Sequence, residues 1–295
     1  MNSKIDYFKN NFFKQEDNLY ILDKDDGYAE NFGKQWKDYR DVQIDSLNNF
    51  SISKDYLIKM FFGDLNLIKN KTILEIGGGA GRFTEYFTKY SKLCVSVDMS
   101  SSVYHNVAKN NKNLIIIKSD FNKLIPNKKF DIVFCRGVLQ HTKQPLDSIL
   151  KIHEFVCKEG YVFFDIYKMP KIGLAHPKYI FWRPIIKLFF NYDKFEKLLK
   201  RNIKILLKIK RIFKFFLFNS KFASDIFIPV WDYKNQYPLN DKQIEKWAIM
   251  DTLDGIFAKY DYPQINKKIV KFLKSRNITI IKNNKKVNIF KTKIK

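Results

Sequence analysis

With 295 residues and 45% hydrophobic content, the chain is long enough to bury a sizeable core and too apolar to be disordered, so one α/β domain with an appendage is the economical expectation. No stretch reaches the roughly 18 uncharged apolar residues of a membrane span, and the opening "MNSKIDYFKNNFFKQEDN" is polar from the start, which predicts a cytoplasmic protein. The net charge of +24 is lopsided: residues 1–170 hold 25 Lys+Arg against 21 Asp+Glu and residues 171–295 hold 29 against 9, so the excess belongs to the second part and is no whole-surface polyanion footprint.

Residues 1–70 read as a mostly helical, amphipathic cap, with "DSLNNFSISKDYLIKMFFGDL" carrying apolar residues at helical spacing before Gly63 interrupts. From Thr72 the pattern alternates: strand "TILEIG", a helix over 82–90, strand "LCVSVD", a helix after Ser100 to Ser102, strands "LIIIK" and "FDIVFCRG", a helix capped by Thr142, and strand "GYVFFDIY". Apolar strands alternating with helices predict a parallel sheet covered on both faces, here over 71–167. Residues 168–240 are basic and aromatic and break the rhythm, so they are expected to form a helical insertion after the fifth strand. Residues 241–295 return to the sheet with the helix "QINKKIVKFLKS" and the hairpin "RNITIIKNNKKVNIFKTK". The expected whole is a doubly wound, mostly parallel, seven-stranded α/β fold. Cys94, Cys135 and Cys157 sit in apolar stretches, as reduced core residues do.

Within the insertion, "DKFEKLLKRNIKILLKIKRIFKFFLF" begins with Asp193 as an expected helix cap and Glu196 three residues on. Lys197, Arg201, Lys204, Lys208 and Arg211 fall along one stripe, while Leu199, Leu206, Ile209, Phe213 and Phe216 fall on a different face. Such a helix over 193–218 suits a lid packed on the protein, and it suits a peripheral contact with the inner face of an anionic membrane.

The stretch "ILEIGGGAGRF" places four glycines in residues 77–81 at the end of a strand. In a doubly wound sheet a ligand lies at that end, where bare backbone approaches it and the next helix offers N–H groups. Gly77, Gly79 and Gly81 follow GxGxG rather than the dinucleotide GxGxxG, whose third glycine would stand where Arg82 is, and Glu75 precedes Gly77 by two residues. Asp98 ends the next strand 19 residues after Gly79, where a carboxylate can accept both hydroxyls of a ribose. Glu75 to Gly81, Asp98, the Asp120–Phe121 pair after "LIIIKS" and the segment "FDIVFCRGVLQHT" together resemble, in order, class I S-adenosylmethionine-dependent methyltransferases.

The resemblance implies S-adenosyl-L-methionine as cofactor. Gly77, Gly78, Gly79 and Gly81 would hold its methionine and ribose portions above Glu75. Asp98, Met99 and Ser100 would meet the ribose side, Asp120 and Phe121 the adenine, with Arg82, Phe83, Arg136, Gly137 and Val138 completing the site. "ENFGKQWKDY", with Gln35 and Trp36, resembles the entry segment of a subgroup common in surface-polysaccharide biosynthesis, as do "WRPIIK" and "WAIMDTLDGIFAKYDYP". That subgroup implies a small-molecule or glycan acceptor, lipid-linked in one version, with the sugar of a surface glycan precursor as leading substrate. A membrane lipid or quinone, RNA, and a catalytically inactive cofactor-binding partner are the alternatives. Nucleic acid is the less expected partner because no RNA-binding module is recognisable.

A sulfonium methyl is already activated, so the enzyme must mainly align the reactants and exclude water, and no metal is expected. His105, His141, His153 and His176 show no metal-ligand spacing. His141, just past the fourth strand, is the candidate acceptor for a hydroxyl proton. The competing reading is that it only shapes its loop. Asp165 and Tyr167, at the end of the fifth strand, are second candidates.

Overall fold

The structure, a computed structural model, describes residues 2–216 and 227–294. It divides into two units, one made of Met1–Lys168 with Tyr260–Lys295 and the other of Met169–Lys259.

The first unit is built on one ten-stranded sheet: β1 (Asn2–Lys4), β2 (Asn11–Glu16), β3 (Leu19–Ile21), β4 (Thr72–Ile76), β5 (Leu93–Asp98), β6 (Leu114–Lys118), β7 (Phe130–Cys135), β8 (Val156–Asp165), β9 (Thr279–Asn284) and β10 (Ile289–Lys293). Their order is β1-β2-β3-β6-β5-β4-β7-β8-β10-β9. From β3 to β8 all neighbours are parallel, and β10 is antiparallel to both β8 and β9. Strands β4 to β10 are the seven expected. Because β4 lies between β5 and β7, the strand order reverses there, and the carboxyl end of β4 is where such a sheet takes a ligand. Successive residues serve opposite faces: Leu74, Val95, Ile117 and Val133 join one core cluster, Ile73, Cys94, Ile116 and Ile132 the other.

The sheet has three strands more than expected, and they correct the reading of 1–70 as helical. Residues of β1, β2 and β3 form an antiparallel meander, and β3 pairs parallel with β6, Leu19 opposite Ile116, covering what would otherwise be an open edge. Their cue is short: Phe12 is buried beside exposed Phe13, and Asp17-Asn18 makes the turn into β3. The rest of the cap is helical, with α1 (Glu30–Asp38), α2 (Arg40–Gln43), α3 (Asp45–Asn48) and α4 (Ile52–Met60). Helix α5 (Thr84–Tyr90) follows β4, while a single 3-10 turn, Ser101–His105, replaces the helix expected after β5. Thr142 does not cap α6 (Pro145–Glu154): its hydroxyl donates to the Leu139 carbonyl at 2.8 Å, and Pro145 opens the helix.

The second unit contains α7 (Arg183–Phe189), α8 (Tyr192–Phe216) and α9 (Asp241–Phe257). It runs to Lys259, so α9 belongs with the insertion and not with the closing segment as expected from 168–240. The cause is packing: Tyr192 and Phe195 of α8 set their rings 5.7 and 5.8 Å from Phe257. The cap of α8 is Asn191, whose side chain accepts from the Lys194 N–H at 2.9 Å, and Asp193 lies inside the first turn. The apolar face expected of this helix is split. Tyr192, Phe195, Leu199, Ile203 and Leu207 are buried, whereas Leu198, Ile205, Ile212, Phe213 and Phe216 are exposed. Residues 217 and 218 of the expected 193–218 helix lie outside the described residues. Helix α10 (Asn266–Ser275) and the β9–β10 hairpin then rejoin the first unit. Among the described residues no helix is long and apolar enough to cross a membrane.

Candidate functional site

The glycine loop leaves β4 at the switch point. Gly77 and Gly78 both donate to the Val97 carbonyl of β5, at 2.8 and 3.2 Å, and Gly81 donates back to the Gly78 carbonyl at 2.9 Å, so the loop folds tightly over the sheet end. Gly77 has φ +79°, and a Cβ there would collide with the Val138 side chain. Gly79 has φ +54°, with the Trp36 indole of α1 at 3.3 Å from where its Cβ would be. Gln35, beside Trp36, is buried in α1.

Asp98 ties β5 to this loop. One carboxylate oxygen accepts from the Gly79 N–H at 2.9 Å, and the other from the Ser100 N–H and hydroxyl at 2.8 and 2.7 Å. Enclosure by protein raises its pKa, and these three donors offset part of the rise. Met99 touches the backbone of Gly27 closely enough that a Cβ there would meet its methyl group. Under the loop, Glu75 is buried, accepting from the Thr84 and Ser96 hydroxyls at 2.5 and 2.8 Å; burial lifts its pKa to about 7. Its Oε1 is buried with no hydrogen-bond partner among the described residues.

At the end of β6, one oxygen of Asp120 accepts from the Asn122 backbone and side chain, at 3.0 Å each, and the other faces the Tyr28 hydroxyl at 3.5 Å. The Tyr28 pKa is raised by burial and then by Asp120. Phe121, next in sequence, is buried in the core. At the end of β7, Gly137 donates to Asp165 at 2.6 Å, Arg136 lies 3.7 Å from the same carboxylate, and the Arg136 guanidinium stacks 4.0 Å over the Tyr56 ring. Asp165 is therefore held in an ion-pair and hydrogen-bond network that anchors the β7 loop. Burial raises its pKa, with Arg136 opposing the rise.

His141 is buried, its ring 4.9 Å from Phe32 and 5.4 Å edge-on to Tyr167. Its Nδ1 is 2.8 Å from the Tyr260 carbonyl oxygen. A carbonyl can only accept, so Nδ1 carries the hydrogen and Nε2 of the neutral ring carries the lone pair.

Arg82 turns toward the helical cap, donating from Nε to the Ser53 hydroxyl at 2.9 Å and pairing with Gln43, and Phe83 packs in the core against Phe134, ring centroids 5.2 Å apart. The loop needs Arg82 as a brace. Sequence reasoning missed Asp26, Tyr28, Tyr56 and Tyr260. Asp26 accepts from the Ser101 N–H at 2.7 Å and pairs with buried Lys118 at 3.0 Å, and the Tyr28 and Tyr260 rings meet at 5.3 Å. Asp26, Tyr28 and Tyr260 stand in irregular segments or single turns, where only the acidic run "DKDDG" hints at a ligand-side turn, and Tyr56 lies within helix α4, where nothing in the sequence marks it from its neighbours.

The loop and the strand-end carboxylates suit a ligand with hydroxyls and an extended body. Residues 74–164 match a family model described as a methyltransferase domain. The chain is 28% identical over 111 residues to a ubiquinone biosynthesis O-methyltransferase of Hydrogenovibrio crunogenus, covering 36% of this chain and 46% of that one. It is 25% identical over 153 residues to a tRNA U34 carboxymethyltransferase of Actinobacillus pleuropneumoniae, covering 46% and 47% respectively. It thus spans about half the length of these curated relatives. Among solved structures, magnesium protoporphyrin IX methyltransferase from Synechocystis with bound SAH aligns over 91% of this chain and 97% of that one at 12% identity, TM-score 0.48.

Proposed function

We propose that this chain, whose residues 74–164 are a methyltransferase domain, is an S-adenosylmethionine-dependent O-methyltransferase. The residues present fit the cofactor: the Gly77–Gly81 backbone folds over the sheet end with the Trp36 indole against Gly79, and Asp98 and Asp120 put carboxylates at two neighbouring strand ends. Gly79 and Trp36 would flank its methionine portion, Asp98 with Met99 and Ser100 would hold the ribose, and Asp120 with Phe121 would lie on the adenine side. Arg136, Gly137 and Val138 form the facing wall. When bound, the cofactor supplies an electrophilic methyl on a sulfonium.

The observation that carries a proton-transfer role is the His141 tautomer. His141 Nε2 would be the group to accept the hydroxyl proton of a methyl acceptor. Tyr167 steadies the imidazole edge-on, and Asp165 acts through Gly137 to fix the loop that carries it.

The leading acceptor is a sugar hydroxyl of a surface glycan precursor, supported by the "ENFGKQWKDY" segment whose Trp36 stands against the glycine loop. A quinone or other membrane lipid is the second reading. It is favoured by the name of one relative and by exposed apolar side chains in the second unit, such as Leu188 at 77% and Ile205 at 60%. Both acceptors fit a chain that touches anionic membrane through α8, where exposed Lys197, Arg201, Lys204 and Lys208 adjoin exposed Leu198, Ile205 and Ile212. Incubating the full chain with methyl-labelled cofactor and separated glycan-precursor, lipid and RNA fractions tests the reading. Label in the glycan fraction supports it; label in lipid or RNA moves it to that class; cofactor binding without transfer to any fraction would leave a non-catalytic binder.

A further inference from the structure

The end of the chain concentrates positive charge: residues 262–295 hold 11 Lys+Arg and no Asp or Glu. Part of that charge is gathered on one face of the sheet in the first unit, around aromatic rings. Tyr161 of β8 stands opposite Lys293 of β10, Phe163 opposite Lys291, and Lys291 opposite Lys282 of β9; cross-strand partners share a face. Phe62 lies over this row, its ring centroid 6.0 Å from that of Tyr161 and 5.8 Å from that of Phe163. Lys291 Nζ is 4.2 Å from the Phe62 centroid and Lys293 Nζ 4.4 Å from the Tyr161 centroid. Lys291 donates to the Lys59 carbonyl of α4 at 2.8 Å, and Lys293 meets Glu159 at 3.5 Å. Lys282 is exposed and sets a like charge directly opposite Lys291, an arrangement that costs stability unless an anion joins it.

Phe62 stands just past the end of α4 at φ +59°, with the Gly63 N–H closing on the Ile58 carbonyl at 2.7 Å. That is the helix-end position glycine usually fills, so a phenylalanine there is strained, and it is still 44% exposed. A lipid surface would be met by projecting aliphatic chains such as Leu188 of the second unit, 77% exposed, whereas the groups beside Phe62 are lysines. An open ring flanked by ammonium groups matches unpaired bases joined by phosphates, which stack on aromatic side chains and follow positive charge. We propose that this face binds single-stranded nucleic acid, a base on the open side of Phe62 beside Tyr161 and phosphates on Lys282 and Lys293. RNA and DNA offer the same bases and phosphates. Tyr161 is level with Ile132 and, through it, with Ile73 near the start of β4, whereas the glycine loop leaves the other end of that strand. The proposal therefore does not depend on how the methyl-transfer residues are assigned.

The test is fluorescence anisotropy of labelled twelve-residue oligouridine and oligodeoxythymidine titrated with the full chain over a range of salt. Saturable binding of at least one is expected, and the tighter of the two identifies the sugar. Lys282→Gln with Lys293→Gln should weaken binding about tenfold and flatten the slope of log affinity against log salt by about 1.4, as loss of two phosphate contacts requires. Phe62→Gly, which suits the left-handed backbone, should weaken it about fivefold or more without changing that slope. Lys109→Gln with Lys112→Gln, exposed beside β6 and five strands from β10, removes the same charge and should leave affinity unchanged. Circular dichroism checks the fold of each variant, and Lys282→Gln alone, at an exposed edge position, serves if the pair does not fold. No saturable binding of either oligonucleotide, or equal losses in both double-lysine variants, would overturn the proposal. So would a Lys282–Lys293 variant that loses sedimentation with phosphatidylglycerol vesicles while keeping its oligonucleotide affinity, since the face would then belong to a membrane.

Discussion

The Tyr260 carbonyl decides what His141 can do, because it fixes the hydrogen on Nδ1 and leaves the lone pair on Nε2. His141→Ala should therefore lower turnover by about 100- to 10,000-fold while leaving S-adenosylhomocysteine affinity close to wild type, measured by methyl-transfer assay and calorimetry. Unchanged turnover would reduce His141 to a loop-shaping residue. Glu75 makes a second prediction. Its folded-state pKa of about 7 lies above the ordinary 4.5, so the folded chain holds a proton that the unfolded chain has lost. Its contribution is most favourable below pH about 4.5 and declines as pH rises through about 7. Denaturant titrations should show wild type losing stability relative to Glu75→Gln between pH 5 and pH 8, and a constant difference would contradict the buried-acid account. At this scale the glycines, Asp98 and Asp120 were legible because each stands at or just past the end of an apolar strand. Tyr28, Tyr56 and Tyr260 were not, since only the folded chain brings them to Asp120, Arg136 and His141.

Helix α8 carries two apolar stripes with different employment. Ile203 is buried, so Ile203→Ala should cost about 2–5 kcal/mol in a denaturant titration. Ile205, 60% exposed, should change stability by less than about 0.5 kcal/mol as Ile205→Ser, yet reduce sedimentation with phosphatidylglycerol vesicles at low salt. Equal recovery of wild type with anionic and neutral vesicles would rule out the membrane contact. The helix itself was plain from its periodicity, but sequence could not tell the packed stripe from the exposed one, because Leu199 and Phe213 are equally apolar and only the partner helix α9 distinguishes them. The β1–β3 meander was hidden for another reason. Its strands are three to six residues long, and their stability comes from pairing with β6, far along the chain. Phe12, fully buried in β2, anchors that edge, and Phe12→Ala should cost about 3–5 kcal/mol.

For the molecule as a whole, the parallel strands β4 to β8 and the closing hairpin were readable because each is an apolar run bounded by turns, and their order places the glycine loop at the switch point. The boundary of the second unit was not, since α9 joins it by packing on α8 and no composition change marks Lys259. The sheet, the glycine cradle and the matched domain converge on one claim, that the first unit binds S-adenosylmethionine or its demethylated product. Calorimetric titration of the full chain with S-adenosylhomocysteine, without added metal, tests it most directly. The account predicts saturable one-site binding, weakened by about 1–3 kcal/mol in Gly79→Val, which obstructs the backbone approach beside Trp36, and in Asp98→Ala, which removes both the ribose acceptor and the tie to Gly79. A folded wild-type chain that gives no binding, or that prefers a nicotinamide dinucleotide, would contradict it.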